Sequence, residues 1–282
     1  MNPGMQLTVL GSSASCPAPG DACSGYLVSQ GNTQLLIDCG SGVLGKLFQH
    51  TTIDAISAIL ISHFHPDHFL DLITLRYGLR YGHSDAPRPL VLLPPGGVKY
   101  LENLGRALRG TSDYFTSPYH LEEYDPAMSR KFCDLKVDFC RTDHDIPTYA
   151  MSVEGSGRLV YSSDTSPSQA VEDFATGANL FLCESTYPAD PDGITTYNHL
   201  TSVQAAGHAA NAKVDALVLT HFWPDFSRNR YREEAQEVFS GPVYVAEPGM
   251  CYQVSASPKP HLREQVGLSS SKDQRIEESS HA

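Results

Sequence analysis

The hydrophobic pattern of the chain breaks into short apolar runs, separated by turn residues and by stretches of helical spacing. Residues 6–10, 26–29, 34–38 and 58–62 are β-branched or apolar and bounded by Gly, Asn or Ser, which predicts strands. The apolar spacing of residues 42–49 and 71–81 predicts helices. The second half repeats the scheme, with strands expected at 136–140, 149–153, 158–162, 180–184 and 217–220, and helices at 167–175 and 201–212. Residues 85–125 hold a strand at 90–93, a Pro-Pro-Gly-Gly turn, a helix at 98–108 and a loop rich in Tyr and Ser, a candidate pocket wall. The halves also rhyme: Ala-Ile-Leu-Ile-Ser-His63 is answered by Ala-Leu-Val-Leu-Thr-His221, and two apolar strands run out to Asp38 and Asp164. Such weak duplication predicts an α/β protein of two similar sheets packed face to face, with polar residues gathered at one rim.

Residues 256–282 are rich in Ser, Pro and charge without apolar periodicity, and are expected as a disordered tail behind a domain spanning 1–255. Charge narrows the function further. The 282 residues carry 20 Lys+Arg against 32 Asp+Glu, a formal net charge of −12. That balance disfavours sequence-blind nucleic-acid binding, which needs clustered cations. No apolar run approaches the ~18–20 residues of a membrane span, so no membrane partner is expected. The N-terminus shows no basic segment followed by an apolar core. Seven cysteines, an odd number with no Cys-x-x-Cys pair, argue against a disulfide framework or a zinc ribbon. A soluble cytoplasmic protein is expected.

The chemistry concentrates in His63-Phe64-His65-Pro66-Asp67-His68, four metal-binding side chains within six positions, directly after an apolar strand. Imidazole and carboxylate suit Zn²⁺. The i, i+2 spacing lets His63 and His65 turn to one side of an extended loop, while Asp67 and His68 face a second ion. Capping of the following helix would account for Asp67 alone, not for three histidines. Further ligands must come from elsewhere, and His144, Asp164 and His221 each follow a strand. Taken singly, each has an ordinary reading: a turn residue, a helix N-cap and a core histidine. His50, His83, His120, His208, His261 and His281 read as solvated or structural.

Together these residues resemble the metallo-β-lactamase-fold hydrolases, an αββα sandwich of two mixed sheets flanked by helices. Within them the chain resembles the phosphodiesterase branch that includes ribonuclease Z. The resemblance spans residues 6–254 and rests on Leu-Leu-Ile-Asp38-Cys-Gly40, the His63–His68 motif, His144, Ser-Ser-Asp164-Thr, His199-Leu-Thr and Thr220-His221-Phe. It implies a metal-dependent hydrolase with two divalent ions, Zn²⁺ first and Mn²⁺ next. His63, His65 and His144 would hold one ion, Asp67, His68 and His221 the other, and Asp164 would bridge them. Asp67 would also act in catalysis by orienting the attacking oxygen, and His199 would serve the leaving alkoxide as a general acid. Asp38 and Glu184, both at strand ends, are the expected carboxylate partners of a ligand histidine and of His199; the alternative for both is a cap for nearby backbone N–H groups, a reading of equal weight for Glu184.

Ribonuclease Z carries a long arm that grips tRNA, inserted in bacterial members between the segments matching His144 and Asp164. Here those residues are only 20 positions apart. The chain is closer to short armless bacterial members of the atypical class II cyclic-AMP phosphodiesterase type, which implies a small phosphodiester substrate, 3′,5′-cyclic AMP first. Tyr77, Tyr81 and Phe222 are the aromatic residues expected to wall in the base. The alternatives are tRNA 3′-end processing, with an RNA 3′ end as partner, thioester or lactone hydrolysis on the same fold, and a non-catalytic scaffold. The resemblance also allows a homodimer.

Overall fold

Period-two alternation decides which way each strand faces, and with it the layering of the molecule. The computed structural model describes residues 4–82, 88–189, 198–256 and 261–263. The chain first lays down β1 (Met5–Gly11), β2 (Gly25–Gln30), β3 (Thr33–Ile37), β4 (Ala58–Leu60), β5 (Leu90–Leu93) and β6 (His120–Glu123). It then builds a second sheet from β7 (Arg130–Phe132), β8 (Leu135–Arg141), β9 (Tyr149–Glu154), β10 (Arg158–Tyr161), β11 (Leu180–Glu184), β12 (Ala216–Thr220) and β13 (Val243–Val245). Two last strands, β14 (Cys251–Val254) and β15 (His261–Arg263), return to the first sheet beside β1. The orders are β15-β14-β1-β2-β3-β4-β5-β6 and β13-β12-β11-β10-β9-β8-β7.

In the first sheet Leu7, Val9, Val28, Leu35, Ile37, Leu60 and Leu92 share one buried cluster with the second sheet. Their sequence neighbours Leu10, Leu27, Leu36, Ile59, Ile61, Val91 and Leu93 point the opposite way. That outer face is covered by α1 (Val43–Leu47), α3 (Asp71–Tyr81) and α4 (Gly97–Arg109). A one-residue slip in any of these strands would exchange the two sets, so both cores fix the register. On the second sheet α5 (Gln169–Ala175), α6 (Ser202–Asn211) and α7 (Arg228–Gln236) contribute Val171, Ala175, Ala205, Ala209, Tyr231 and Ala235 to the core. The result is the expected helix, sheet, sheet, helix sandwich.

The rhyme between the halves corresponds to parallel pairing. Strands β3 to β6 run parallel to one another, as do β10 to β13. The carboxyl ends of β3, β4, β10, β11 and β12 run into Asp38, His63, Asp164, Glu184 and His221, the end of a parallel sheet where sites form.

Strands 90–93 and 180–184 and helix 71–81 have the expected bounds. The one-turn α2 (Pro66–Phe69), the polar edge strands β6 and β7, and β13, β14 and β15 were not expected. Helix α7 buries only Tyr231 and Ala235, too thin a stripe to announce a helix. Residues His261–Arg263, expected as tail, pair antiparallel with β14; the rest of that tail, 257–260 and 264–282, lies outside the described residues. Among the described residues no helix is long and apolar enough to cross a membrane.

Candidate metal centre

The site is built where strands stop. Among the described residues seven non-glycine residues have positive φ, and five of them surround it: Ser15 (φ 61), Asp38 (57), Ser163 (52), Asn198 (61) and His221 (58). Left-handed backbone is costly for such residues and persists where the surroundings over-determine it, often at functional sites. Asp38 and His221 turn there themselves, one residue past β3 and β12, while Ser163 and Asn198 precede Asp164 and His199. Gly40 is needed for packing: a Cβ on it would stand 1.9 Å from the Asp67 carbonyl oxygen. The Cys39 N–H donates to the His68 carbonyl at 2.7 Å and the Ser24 N–H to that of Asp67 at 3.1 Å. The Asp38–Gly40 turn therefore clamps the backbone carrying Asp67 and His68.

Four loops, after β4, β8, β10 and β12, then bring the expected ligands together. Single donor atoms of His63, His65, His144 and Asp164 lie within 4.8 Å of one another, as do those of Asp67, His68 and His221. Asp164 lies between the two groups, its carboxylate oxygens 3.6 Å from His63 Nε2, 3.9 Å from His144 Nε2, 3.3 Å from His68 Nε2 and 3.5 Å from His221 Nε2. Asp67 Oδ2 is 3.2 Å from His221 Nε2 and accepts the Ser15 N–H at 2.7 Å.

The outward edges of these rings settle which nitrogen faces in. His68 Nδ1 donates to Asp38 Oδ2 at 2.8 Å, and His144 Nδ1 to the Asn198 carbonyl at 3.0 Å. Ser62 Oγ donates to Asp38 at 2.9 Å and so accepts from His63 Nδ1 at 3.0 Å. Thr186 Oγ1 donates to Glu184 at 2.9 Å and accepts from His221 Nδ1 at 2.8 Å. All four histidines thus spend their Nδ1 proton outward, the arrangement metal-bound imidazoles usually have, and present Nε2 inward. Those inward edges crowd: His68 Nε2 is 3.4 Å from His221 Nε2, and His144 Nε2 is 3.1 Å from His65 Nδ1. His63 Nε2 and Asp164 Oδ1 are buried without a hydrogen-bond partner. Lone pairs and carboxylates so arranged call for positive charge among them, and the donor set suits divalent ions such as Zn²⁺.

The electrostatics agree. Burial works against charge on His68, yet Asp164, Asp67 and Asp38 outweigh it and hold its pKa well above the usual imidazole value. Burial would also raise Asp164 and Asp67; imidazoles, His221 foremost for Asp164 and His68 for Asp67, keep both carboxyls below the ordinary range instead. For His63 burial dominates and pushes the pKa well down, favouring the neutral ring a metal needs.

His199 stands at the mouth, its ring centroid 5.3 Å from those of both His144 and His221. Its Nδ1 donates to Glu184 Oε1 at 3.0 Å. Burial opposes its charge, but Glu184 overrides this and raises the pKa to about 9. Glu184 also accepts the N–H groups of Thr165, Thr186 and Leu200, so it is at once the partner of His199 and a backbone cap. Asp38 likewise gathers the Ser62 N–H, the Tyr161 hydroxyl and His68.

The aromatic wall is not where it was expected. Phe222 is 2% exposed, packs on Tyr231 and lies under Arg228, because alternation turns it into the core when His221 faces the site. Tyr77 and Tyr81 stack on each other along α3, and Tyr77 hydrogen-bonds Tyr114. The aromatic side chain beside His199 is instead Tyr187, at 6.4 Å, and Trp223 stacks on Tyr187 in turn. Of the other histidines, His120 is exposed beside Glu122 and His208 is buried 3.6 Å from Glu172; His83 and His281 lie outside the described residues.

The profile of the β-lactamase superfamily domain matches residues 33–222. The chain belongs to that superfamily. Its sequence is 32% identical over 251 residues to YhfI of Bacillus subtilis, named a probable metallo-hydrolase, across 88% of this chain and all of that protein. The crystal structure of YhfI superposes with a TM-score of 0.79 at 30% identity, covering 88% of this chain and 98% of that one. A protein named ribonuclease Z from Methanopyrus kandleri is 28% identical over 280 residues, covering 87% and 96% of the two chains. The protein is a metallo-hydrolase of the β-lactamase fold, with a His/Asp cluster able to bind metal ions.

Proposed function

We propose that the protein is a dinuclear metal-dependent phosphodiesterase acting on a small phosphodiester, with 3′,5′-cyclic AMP as its first candidate substrate, and that residues 1–255 form its catalytic domain. The observation that carries this reading is the convergence of four inward Nε2 atoms on Asp164, beside a histidine charged by its own buried carboxylate. His63, His65, His144 and Asp164 would hold one ion, and Asp67, His68, His221 and Asp164 the other. Bound there, divalent ions supply Lewis acidity toward phosphoryl oxygens and make water nucleophilic at neutral pH. Zn²⁺ suits the imidazole-rich set, with Mn²⁺ the next candidate.

The chain's own residues do the rest. Asp67 is locked by the Ser15 N–H and orients the attacking oxygen toward phosphorus. His199 keeps Nδ1–H on Glu184, and its raised pKa keeps a second proton on Nε2 through neutral pH. That proton passes to the leaving alkoxide, a general-acid step on the side of the site where the ring is accessible. A serine or cysteine nucleophile has no part in this scheme.

Small substrates are favoured over tRNA by the segment between His144 and Asp164. It is used up by β9, β10 and the turn Gly155-Ser156-Gly157, leaving nothing for an arm. The likeness to ribonuclease Z keeps an RNA 3′ end as the second substrate to try. The test is incubation of the zinc-loaded protein with 3′,5′-cyclic AMP, following 5′-AMP by chromatography, with His144→Ala as the blank. Formation of 5′-AMP that is lost in the blank is the expected result. Trimming of pre-tRNA with cyclic AMP left intact would overturn the choice of substrate.

A further inference from the structure

Trp223 is the only tryptophan of the chain, and nothing in the metal chemistry uses it. It stands two residues after His221. Its N–H donates to the Thr186 carbonyl at 3.0 Å, and its indole N–H to Asp225 Oδ2 at 3.2 Å. One face of the indole lies on Tyr187, with ring centroids 5.9 Å apart and planes 26° from parallel. Tyr187 is itself pinned: its N–H donates to the Leu200 carbonyl at 3.3 Å and its own carbonyl accepts the Ser202 N–H at 2.9 Å. Tyr187 is 9% exposed and backs the stack, whereas Trp223 stays half-buried. The two rings are thus held at fixed distance from the reacting centre. Thr186, next to Tyr187, is the hydrogen-bond partner of His221, and Tyr187 lies 6.4 Å from the His199 ring.

A flat, uncharged, rigidly held π-surface beside the general acid suits an aromatic group carried by the sugar that bears the leaving oxygen, and ribose and phosphate themselves offer no such group. We propose that the Tyr187–Trp223 stack is the subsite that receives the nucleobase of the substrate, purines ahead of pyrimidines, with Trp223 as its specificity-determining residue. This deepens the phosphodiesterase reading and rests on it. Stacking tolerates different bases because every base has a π-face, so the stack selects nucleotides over base-free diesters rather than one base over another of its size.

The full-length, metal-loaded protein carries its own reporter, since all tryptophan fluorescence comes from Trp223. Titration with 5′-AMP is expected to quench it saturably, and ribose 5-phosphate to leave it unchanged. In steady-state assays Trp223→Ala is expected to lower the kcat/KM ratio of 3′,5′-cyclic AMP over its base-free ribose analogue roughly 5- to 150-fold, mostly through KM. Trp223→Phe, which keeps a flat ring, is expected to restore most of that ratio. Equal losses on both substrates, or no quench by 5′-AMP, would overturn the subsite. The two readings fail separately: quench without turnover of any diester keeps the subsite and removes the phosphodiesterase. Turnover of the base-free diester without quench does the reverse.

Discussion

The floor and the mouth of the site are built to different specifications. On the floor, the side chains of His63 and His68 are fully buried, and those of His221 and Asp164 are 2% exposed. Each floor imidazole meets its outer partner at 2.8–3.0 Å: Asp38 itself for His68, Ser62 fixed by Asp38 for His63, and Thr186 fixed by Glu184 for His221. At the mouth, the side chain of His65 is 31% exposed, and its outer edge has only Asp145, itself half exposed, at 3.6 Å. His199 is 18% exposed, with one firm bond, to Glu184. Buried groups bonded along their outer edges hold their inner donor atoms in a fixed place, and those left unpaired there, His63 Nε2 and Asp164 Oδ1, cost their desolvation unless a cation meets them. Half-exposed groups admit a substrate. The difference fits a floor that would hold the ions, with His65 completing the ligand set from the rim, and a mouth open to substrate.

The largest test of that division is Asp164→Ala. It removes the carboxylate shared by both groups, and phosphodiester turnover is expected to fall to background because neither ion is retained. Persistent turnover would break the comparison outright. Next, His199→Ala is expected to lower kcat by about 10²–10⁴-fold while metal content stays at the wild-type level; loss of metal would place His199 on the floor. The sign of its pH dependence follows from the raised pKa: the acid form persists below about 9 and is lost above it, so kcat should fall as pH climbs through about 9. Glu184→Gln removes the charge that raises this pKa and should move the limb to lower pH. A limb that does not move would mean another group sets it. Smaller still, Asp38→Asn keeps shape and tolerates the left-handed backbone at that position. It weakens the partner of His68 and should cost metal affinity about 10–100-fold, measured by competition with a chromophoric chelator.

Much of the floor is legible in the sequence, because local geometry builds it. Six consecutive residues supply four of the proposed ligands, and the other three, His144, Asp164 and His221, each follow a strand whose apolar run is plain. Asp38 and Glu184 are legible for the same reason. The mouth is less so. Tyr187 and Trp223 are 36 positions apart, belong to no periodic pattern, and meet only through the parallel pairing of β11 with β12. Phe222 was the natural aromatic to choose beside His221, but the left-handed turn at His221 sends successive side chains to opposite sides. Edge strands β6 and β7 are short and largely polar, so their pairing rather than their composition makes them strands.

The account stands most directly on a metal titration of the metal-free protein with Zn²⁺, followed by calorimetry. It predicts two ions per chain for the wild type, and loss of tight binding in Asp164→Ala. A wild-type chain that binds no zinc, or binds it equally well without Asp164, would contradict it.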